Sequence, residues 1–367
     1  MLGLLLCTNL SGCWDATDIE KLSFPYAMAY DLNKQTRKTS GRGSWVDVTV
    51  LTPNLSPRGE KKYNVEMVSV PLGAGILSER AFTSPDITYP ALNQVLVVGE
   101  DLAKIGLSNY IDSFLRIPAM AVTMNMAVAV GRAGDLLAAG SKDYETKGVE
   151  LRNLLMKSEK KGMVPSTTVH QFSVNLVTGK NPIMPIIFNT QERRTQFAGT
   201  AVFDKDKMIY KLNNDQTRYL MLLRGIKSKA DFPFVLPVED DGADQGMVRL
   251  KNSRKVKVTR NGNHYRFLIL VNLKGEVVEH VPSGRLIDED MLHKIESRVS
   301  QDVQRECEDM IRLMQEEIGV DCLDINKYAL AKWQNDIKNI IDQPEFIRQA
   351  AISCKVKVKI YNTGELK

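Results

Sequence analysis

From Ala351 to Tyr361 apolar and polar positions alternate without a break: Ile352, Cys354, Val356, Val358 and Ile360 on one side, Ser353, Lys355, Lys357 and Lys359 on the other. A period of two predicts a strand with one buried face, and the lysine row reads as a solvated face that also discourages edge pairing. Upstream the period changes. Leu292, Ile295, Val299, Val303, Cys307, Met310, Met314 and Ile318 recur every three or four residues. That spacing predicts a long helix with one apolar stripe, opened near Asp288 and ended by Gly319. Glu308 and Arg312 form an i,i+4 pair on its wet side. A second helix is expected from Asp324 to Ile341, with Pro344 marking its exit. Before both, Lys255 to Arg260 and Tyr265 to Leu273 flank Asn261-Gly262, a dipeptide that favours the primed turns of hairpins. A sheet with helices packed on its apolar face is the simplest arrangement of these pieces.

The first half of the chain mixes the two periods. Phe24 to Asp31 and Ser44 to Thr52 predict a strand pair, with a polar, basic loop from Asn33 to Gly43 between them. Tyr63 to Val70 reads as a third strand, and Asn93 to Val98 and Ala121 to Val130 as fully buried ones. Helices are expected over Ser108 to Leu115, Gly134 to Ala139 and Lys147 to Lys161. Pro182 and Pro185 mark a change of character, and the polar run NTQERRTQ from Asn189 to Gln196 reads as a linker. Beyond it come strand, Asp-Lys turn, strand, and a helix with Asn214 or Asp215 as its N-cap. A softer break lies in the acidic, glycine-bearing stretch Glu239 to Gly246.

The expected fold class is therefore α+β, with three mixed α/β domains. Residues 24–190 form the first, 197–245 a small middle one, and 246–367 a β-sheet packed by the long amphipathic helix and a second helix. The length of 367 residues exceeds what one hydrophobic core usually serves. A net charge of +5 with acids and bases interleaved shows no arginine-rich tract and no aromatic ladder, so nucleic acid is not an expected partner.

The N-terminus carries the sharpest chemical signal. MLGLLLCTNL is apolar but only about half the roughly 20 residues needed to span a bilayer. It fits the apolar core of an export signal, and Leu10-Ser11-Gly12-Cys13 resembles the lipobox of bacterial lipoproteins. The small residues Ser11 and Gly12 let the backbone enter a narrow peptidase cleft. Cleavage would fall between Gly12 and Cys13, and the Cys13 thiolate would become the thioether that carries a diacylglyceryl group. Residues 1–12 are then a signal read as truncated, with Met1 an internal start and the basic n-region missing, since no Lys or Arg precedes Lys21, and 13–23 a lipidated tether. The alternative is a core cysteine after a buried segment. Cys307, Cys322 and Cys354 remain in the mature chain and read as buried thiols, with one disulfide as the alternative outside the cytoplasm.

No enzymatic motif stands out. GxSxG, P-loop, HExxH and GxGxxG are absent. Ser158 to Lys161 matches SxxK, but on a highly charged helix and with no KTG after it. Met120, Met124 and Met126 read as core filler. The four histidines and the cysteines show no zinc-ligand spacing, and no cofactor is expected.

Several stretches together resemble the Ger(x)C family of spore germination proteins, the C subunits of nutrient germinant receptors. They are LSGCWD followed by Ile19, VLVVGEDLAKIGLSNYIDSFLR, GTAVFDKDKMIYKLNNDQTRYL (Gly199, Ala201, Val202, Phe203, Asp206, Lys207, Leu212), the Asp-containing link Val320 to Ile325, and VKVKIYNTG. The resemblance implies a three-domain mixed α/β fold without catalysis, anchored through Cys13 on the outer face of the spore inner membrane. It also implies integral A and B subunits as partners. A solute-binding lipoprotein of an importer and a lipid-anchored envelope enzyme are the rival readings.

Overall fold

The computed structural model describes residues 22–34, 45–53, 63–71, 75, 87–117, 120–237, 243–281 and 287–362. The expected signal, the lipobox and most of the tether lie outside them, as do most of the loop expected from Asn33 to Gly43 and part of the stretch Glu239 to Gly246.

In chain order the first elements are β1 (Leu22–Ser23), β2 (Ala27–Leu32), β3 (Val46–Pro53), β4 (Tyr63–Val70), β5 (Ile87–Thr88), β6 (Val95–Gly99), α1 (Glu100–Ile105), α2 (Ser108–Arg116), β7 (Asn125–Ala129), α3 (Ala133–Ala138), α4 (Lys147–Lys161) and α5 (Val169–Val177). They are followed by β8 (Ile183–Asn189), β9 (Thr195–Asp204) and β10 (Lys207–Leu212). Eight of these strands form one sheet in the order β10-β9-β8-β7-β6-β2-β3-β4. Its four central strands are parallel and two antiparallel strands flank them on each side. Parallel strands need cover on both faces, and the side chains supply it by alternation. Met28, Tyr30, Leu96, Val98, Met126 and Val128 meet α1, α2 and α5 on one face. Ala27, Ala29, Val95, Val97, Ala127 and Ala129 meet α3 and α4 on the other. The methionines Met120, Met124 and Met126 are buried in the first of these cores.

The second half begins with α6 (Asn214–Arg224) and continues as β11 (Lys229–Pro237), β12 (Ala243–Asn261), β13 (His264–Val281), α7 (Glu289–Leu313), α8 (Asn326–Ile337), α9 (Pro344–Gln349) and β14 (Ala351–Asn362). The sheet order is β11-β12-β13-β14, with β13 and β14 parallel. The predicted hairpin is right in place and turn but far longer, because its register continues from Asn261↔His264 out to Gln245↔Val281. Ile295, Val299, Val303, Cys307, Met310 and Ile311 of α7 are buried against this sheet. Each such aliphatic side chain contributes about 2 kcal/mol. Asp288 caps the helix by accepting from Met291 N at 2.7 Å. A π-type turn over Met314–Ile318 precedes the left-handed Gly319.

The mixed α/β content and the helix-packed C-terminal sheet match the expected fold class, and the differences are local. The polar run after Asn189 is a hairpin turn rather than a linker. Thr190 N donates to Arg194 O at 2.8 Å, Arg193 takes a left-handed φ of 61°, and β9 returns antiparallel to β8. Residues 197–245, expected as a unit of their own, are shared: β9 and β10 complete the first sheet, and β11 belongs to the second. The run is polar because a tight exposed turn and a linker ask for the same residues. The N-cap of α6 is Asn213, one residue earlier than expected, in a capping box with Gln216. Pro344 starts α9 instead of marking an exit, since Pro suits the first helical turn. Arg312 pairs with Asp309 rather than with Glu308.

Candidate functional site

Leu10, Ser11, Gly12 and Cys13 lie outside the described residues, and the described chain starts where their tether would join the body. At that root β1 pairs in parallel with β5, Leu22 opposite Ile87 and Ser23 opposite Thr88. Tyr89 N donates to Ser23 O at 2.8 Å, and the Tyr89 ring meets Phe24 edge-on with centroids 6.2 Å apart. A 3₁₀ turn over Pro90–Leu92 follows, and Gln94 N then donates to Tyr26 O at 2.9 Å.

In open α/β sheets ligands usually sit where parallel strands end and helices begin. Here the chain fills that position itself. Asp31 at the end of β2 accepts from Ala133 N at 2.8 Å and Gly134 N at 2.7 Å, the first amides of α3. Gly99 at the end of β6 leaves room for this carboxylate, since a Cβ there would stand 2.1 Å from Asp31 Oδ1. Burial raises the Asp31 pKa, against the lowering effect of those two amides and of nearby Arg132. Arg132 donates to Asp47 Oδ2 at 3.0 Å, and Asn33 and Ser69 donate to Asp47 Oδ1 at 2.7 and 2.6 Å. Burial alone would raise the Asp47 pKa, but these hydrogen bonds outweigh it and hold it below the usual range.

The stretches that carry the family resemblance meet as joints. Asp206, in the turn of GTAVFDKDK, accepts from Ser108 N at 3.0 Å through its side chain and from Leu107 N at 3.1 Å through its carbonyl. Lys211 Nζ lies 2.9 Å from Glu100 Oε1. These contacts fasten β10 to the start of α1 and α2. Gly199 has φ 128°, and a Cβ there would stand 1.8 Å from Leu212 O, so only glycine allows β9 to pass this close to the end of β10. In the Val320 to Ile325 link, Asp321 accepts from Leu323 N, Ile325 N and Asn326 N at 3.0, 2.8 and 2.7 Å. Burial raises its pKa, opposed in part by the Asn326 and Ile325 amides and by Arg224. Arg224 donates to Cys322 O at 2.7 Å. Arg254 donates to Leu223 O and to Leu323 O, the latter at 2.8 Å. The end of α6, the strand β12 and the 320–325 link are thus bound into one junction.

The three described cysteines are free and buried. A hydrogen bond with Cys354 and burial push the Cys307 thiol up, and burial pushes Cys322 up to about 12. Such thiols are poor nucleophiles. Among the described residues no group of His, Cys, Asp or Glu could hold a metal ion. No described helix is long and apolar enough to cross a membrane. A groove of about 920 Å³ runs past Met163, Phe197, Arg218, Lys229 and Arg249.

The fold is that of a mixed α/β protein of the kind seen in the crystal structure of the GerBC protein, with a TM-score of 0.60 at 16% identity over 94% of this chain and 100% of that one. Residues 15–188 match the family described as "Spore germination protein N-terminal domain", and 198–364 match "Spore germination B3/ GerAC like, C-terminal". The gap between the two matches falls on the β8–β9 turn and the start of β9. The chain belongs to the GerAC-like spore germination family, and its role lies in spore germination. It is similar to the putative spore germination protein YfkR of Bacillus subtilis (strain 168), 22% identical over 83% of this chain and 81% of that one. It is also similar to spore germination protein B3 of the same organism, 24% identical over 97% of this chain and 95% of that one.

Proposed function

We propose that this chain is the lipid-anchored subunit of a spore nutrient germinant receptor, with a non-catalytic coupling or scaffolding role. The observation that carries the reading is the pair of family matches, which run in order from residue 15 to residue 364. In this reading Leu10, Ser11 and Gly12 are recognised by the signal peptidase, and Cys13 receives the diacylglyceryl group. The mature chain then sits on the outer face of the spore inner membrane beside integral A and B subunits. One acyl chain holds a protein only marginally, whereas two or more hold it stably. Anchoring raises the effective concentration of the folded body beside its membrane partners. The self-filled end of the parallel strands supports a scaffolding role over solute capture, because Asp31 already occupies the amides of α3.

The test is affinity purification of a tagged chain from detergent-solubilised spore membranes, with mass spectrometry of the N-terminal peptide and of the co-purifying proteins. Diacylated Cys13 together with two integral membrane proteins is the expected result. An unmodified N-terminus without membrane partners would overturn the reading.

A further inference from the structure

We propose that the end of the eight-stranded sheet at which β1 enters rests on a lipid surface, with Tyr89 and Leu92 as its contact residues. The inference rests on the anchor proposed at Cys13. Cys13 lies nine residues before Leu22, so even a fully extended tether holds that end within about 30 Å of the acyl chains.

The turn at the root of this tether is built to meet an apolar medium. Leu92 is 54% exposed and Tyr89 42%, with the partly exposed Phe24 ring against Tyr89. The Pro90 and Leu92 carbonyls beneath them are paired. Pro90 has no N–H, Asn93 N donates to Pro90 O at 3.1 Å, and Gln94 Nε2 donates to Leu92 O at 2.8 Å. Leu92 can therefore enter the interface without taking an unpaired carbonyl with it, a cost that lipid does not forgive. A tyrosine beside it, with an apolar ring and a polar tip, suits the headgroup level. The turn is tied to β1, where the tether joins the body, by the hydrogen bond from Tyr89 to Ser23. Exposure alone would not select this end, because Val130 at the opposite end of the same sheet is 49% exposed. The tether selects it.

In this orientation β2 and β6 run away from the bilayer, and the Asp31, Asp47 and Arg132 cluster faces outward on the far side. The full lipidated chain, as Leu92→Cys or as Val130→Cys, is labelled with an environment-sensitive fluorophore and reconstituted into phosphatidylethanolamine/phosphatidylglycerol vesicles carrying a lipid-bound quencher. The native described cysteines are buried and stay unlabelled. The expected result is flotation of both proteins, with a blue-shifted and several-fold more quenched label at position 92. Flotation with both labels equally quenched overturns the lipid surface and leaves the anchor standing. Protection of the position 92 label only when other receptor subunits are present does the same, in favour of a protein contact. Failure to float removes the anchor and the surface together.

Discussion

Lys147 in the first half of the molecule and Arg254 and Asp321 in the second bury charge in opposite ways. In the first half Lys147 is fully buried within a side-chain pair. Its amine donates to Glu150 Oε2 at 2.8 Å, to Arg193 O at 2.7 Å, and to Asn189 Oδ1 and Thr195 Oγ1 at 3.2 and 3.3 Å. Glu150 in turn accepts from Thr195 N at 2.5 Å. In the second half Arg254 and Asp321 have no ion-pair partner among the described residues, and each staples several backbone groups instead. A pair is vulnerable through whichever partner is left behind. A staple is vulnerable through the carbonyls or amides it abandons, which carry only partial charge. The Lys147 pair should therefore fail harder than either staple when one partner is removed.

The sharpest test is Lys147→Met, which leaves Glu150 buried without its cation and should cost about 3–5 kcal/mol. The double variant Lys147→Met with Glu150→Leu should recover most of that loss in urea unfolding. A double variant as unstable as the single one would show that the pair is not the cause. Next comes Arg254→Leu, which strips charged hydrogen bonds from Leu223 O and Leu323 O and should cost about 2 kcal/mol. Hydrogen exchange should show the loosening at the end of α6 and in residues 320–325 before any in the first sheet.

Acid separates the Glu150 and Asp321 sites further. Burial by itself would raise the Glu150 pKa, but hydrogen bonds from Lys147, Ser141 and Thr195 N outweigh it and hold the pKa below its ordinary 4.5. The stability this group contributes is full above 4.5 and is lost as pH falls through its lower folded value. Burial raises Asp321 instead, so its contribution has the other sign: the folded state is penalised above the raised pKa and relieved as the pH falls through it. Melting curves taken from pH 6 downward should show an acid loss that Glu150→Gln flattens and that Asp321→Asn does not. The smallest effect belongs to the exposed pair Arg249 and Asp231, at 2.6 Å. Asp231→Asn should change stability by less than about 1 kcal/mol.

Where one face of an element is apolar, the sequence showed it. The stripe of α7 and the alternation of β14 are legible because a single face is buried, and both sit where their periods placed them. Legibility fell where pairing partners decide the outcome. The extension of β12 and β13 runs through Asn252, Lys274 and Glu276, polar residues that no hydrophobic pattern marks as strand. The β8–β9 turn and a linker share a composition, so only the return of β9 onto β8 tells them apart. Of the candidate site, the lipobox is read from sequence alone. The Asp31 plug was not legible, because it depends on Gly99 and the start of α3, which lie far from Asp31 along the chain. The role of the lysine row was half legible. Among the described strands β14 closes its sheet, and α7 covers its open side: Glu296 accepts from Ile360 N at 2.7 Å, Ser300 donates to Val356 O at 2.7 Å, and Gln304 accepts from Val356 N at 3.3 Å.

That parallel pairing of β13 with β14 also sets the order in which the second half can be assembled. The hairpin β12–β13 can form as soon as it is made, but β14 reaches its place only after α7, α8 and α9 have been threaded between, and Phe267 meets Ile352 across that whole interval. Closing so long a loop is slow, and until it closes the apolar stripe of α7 and one edge of β13 stay open to other chains. Refolding of this protein should accordingly end in a late, concentration-sensitive phase, and the step that governs its yield is the docking of twelve residues near the end of the chain.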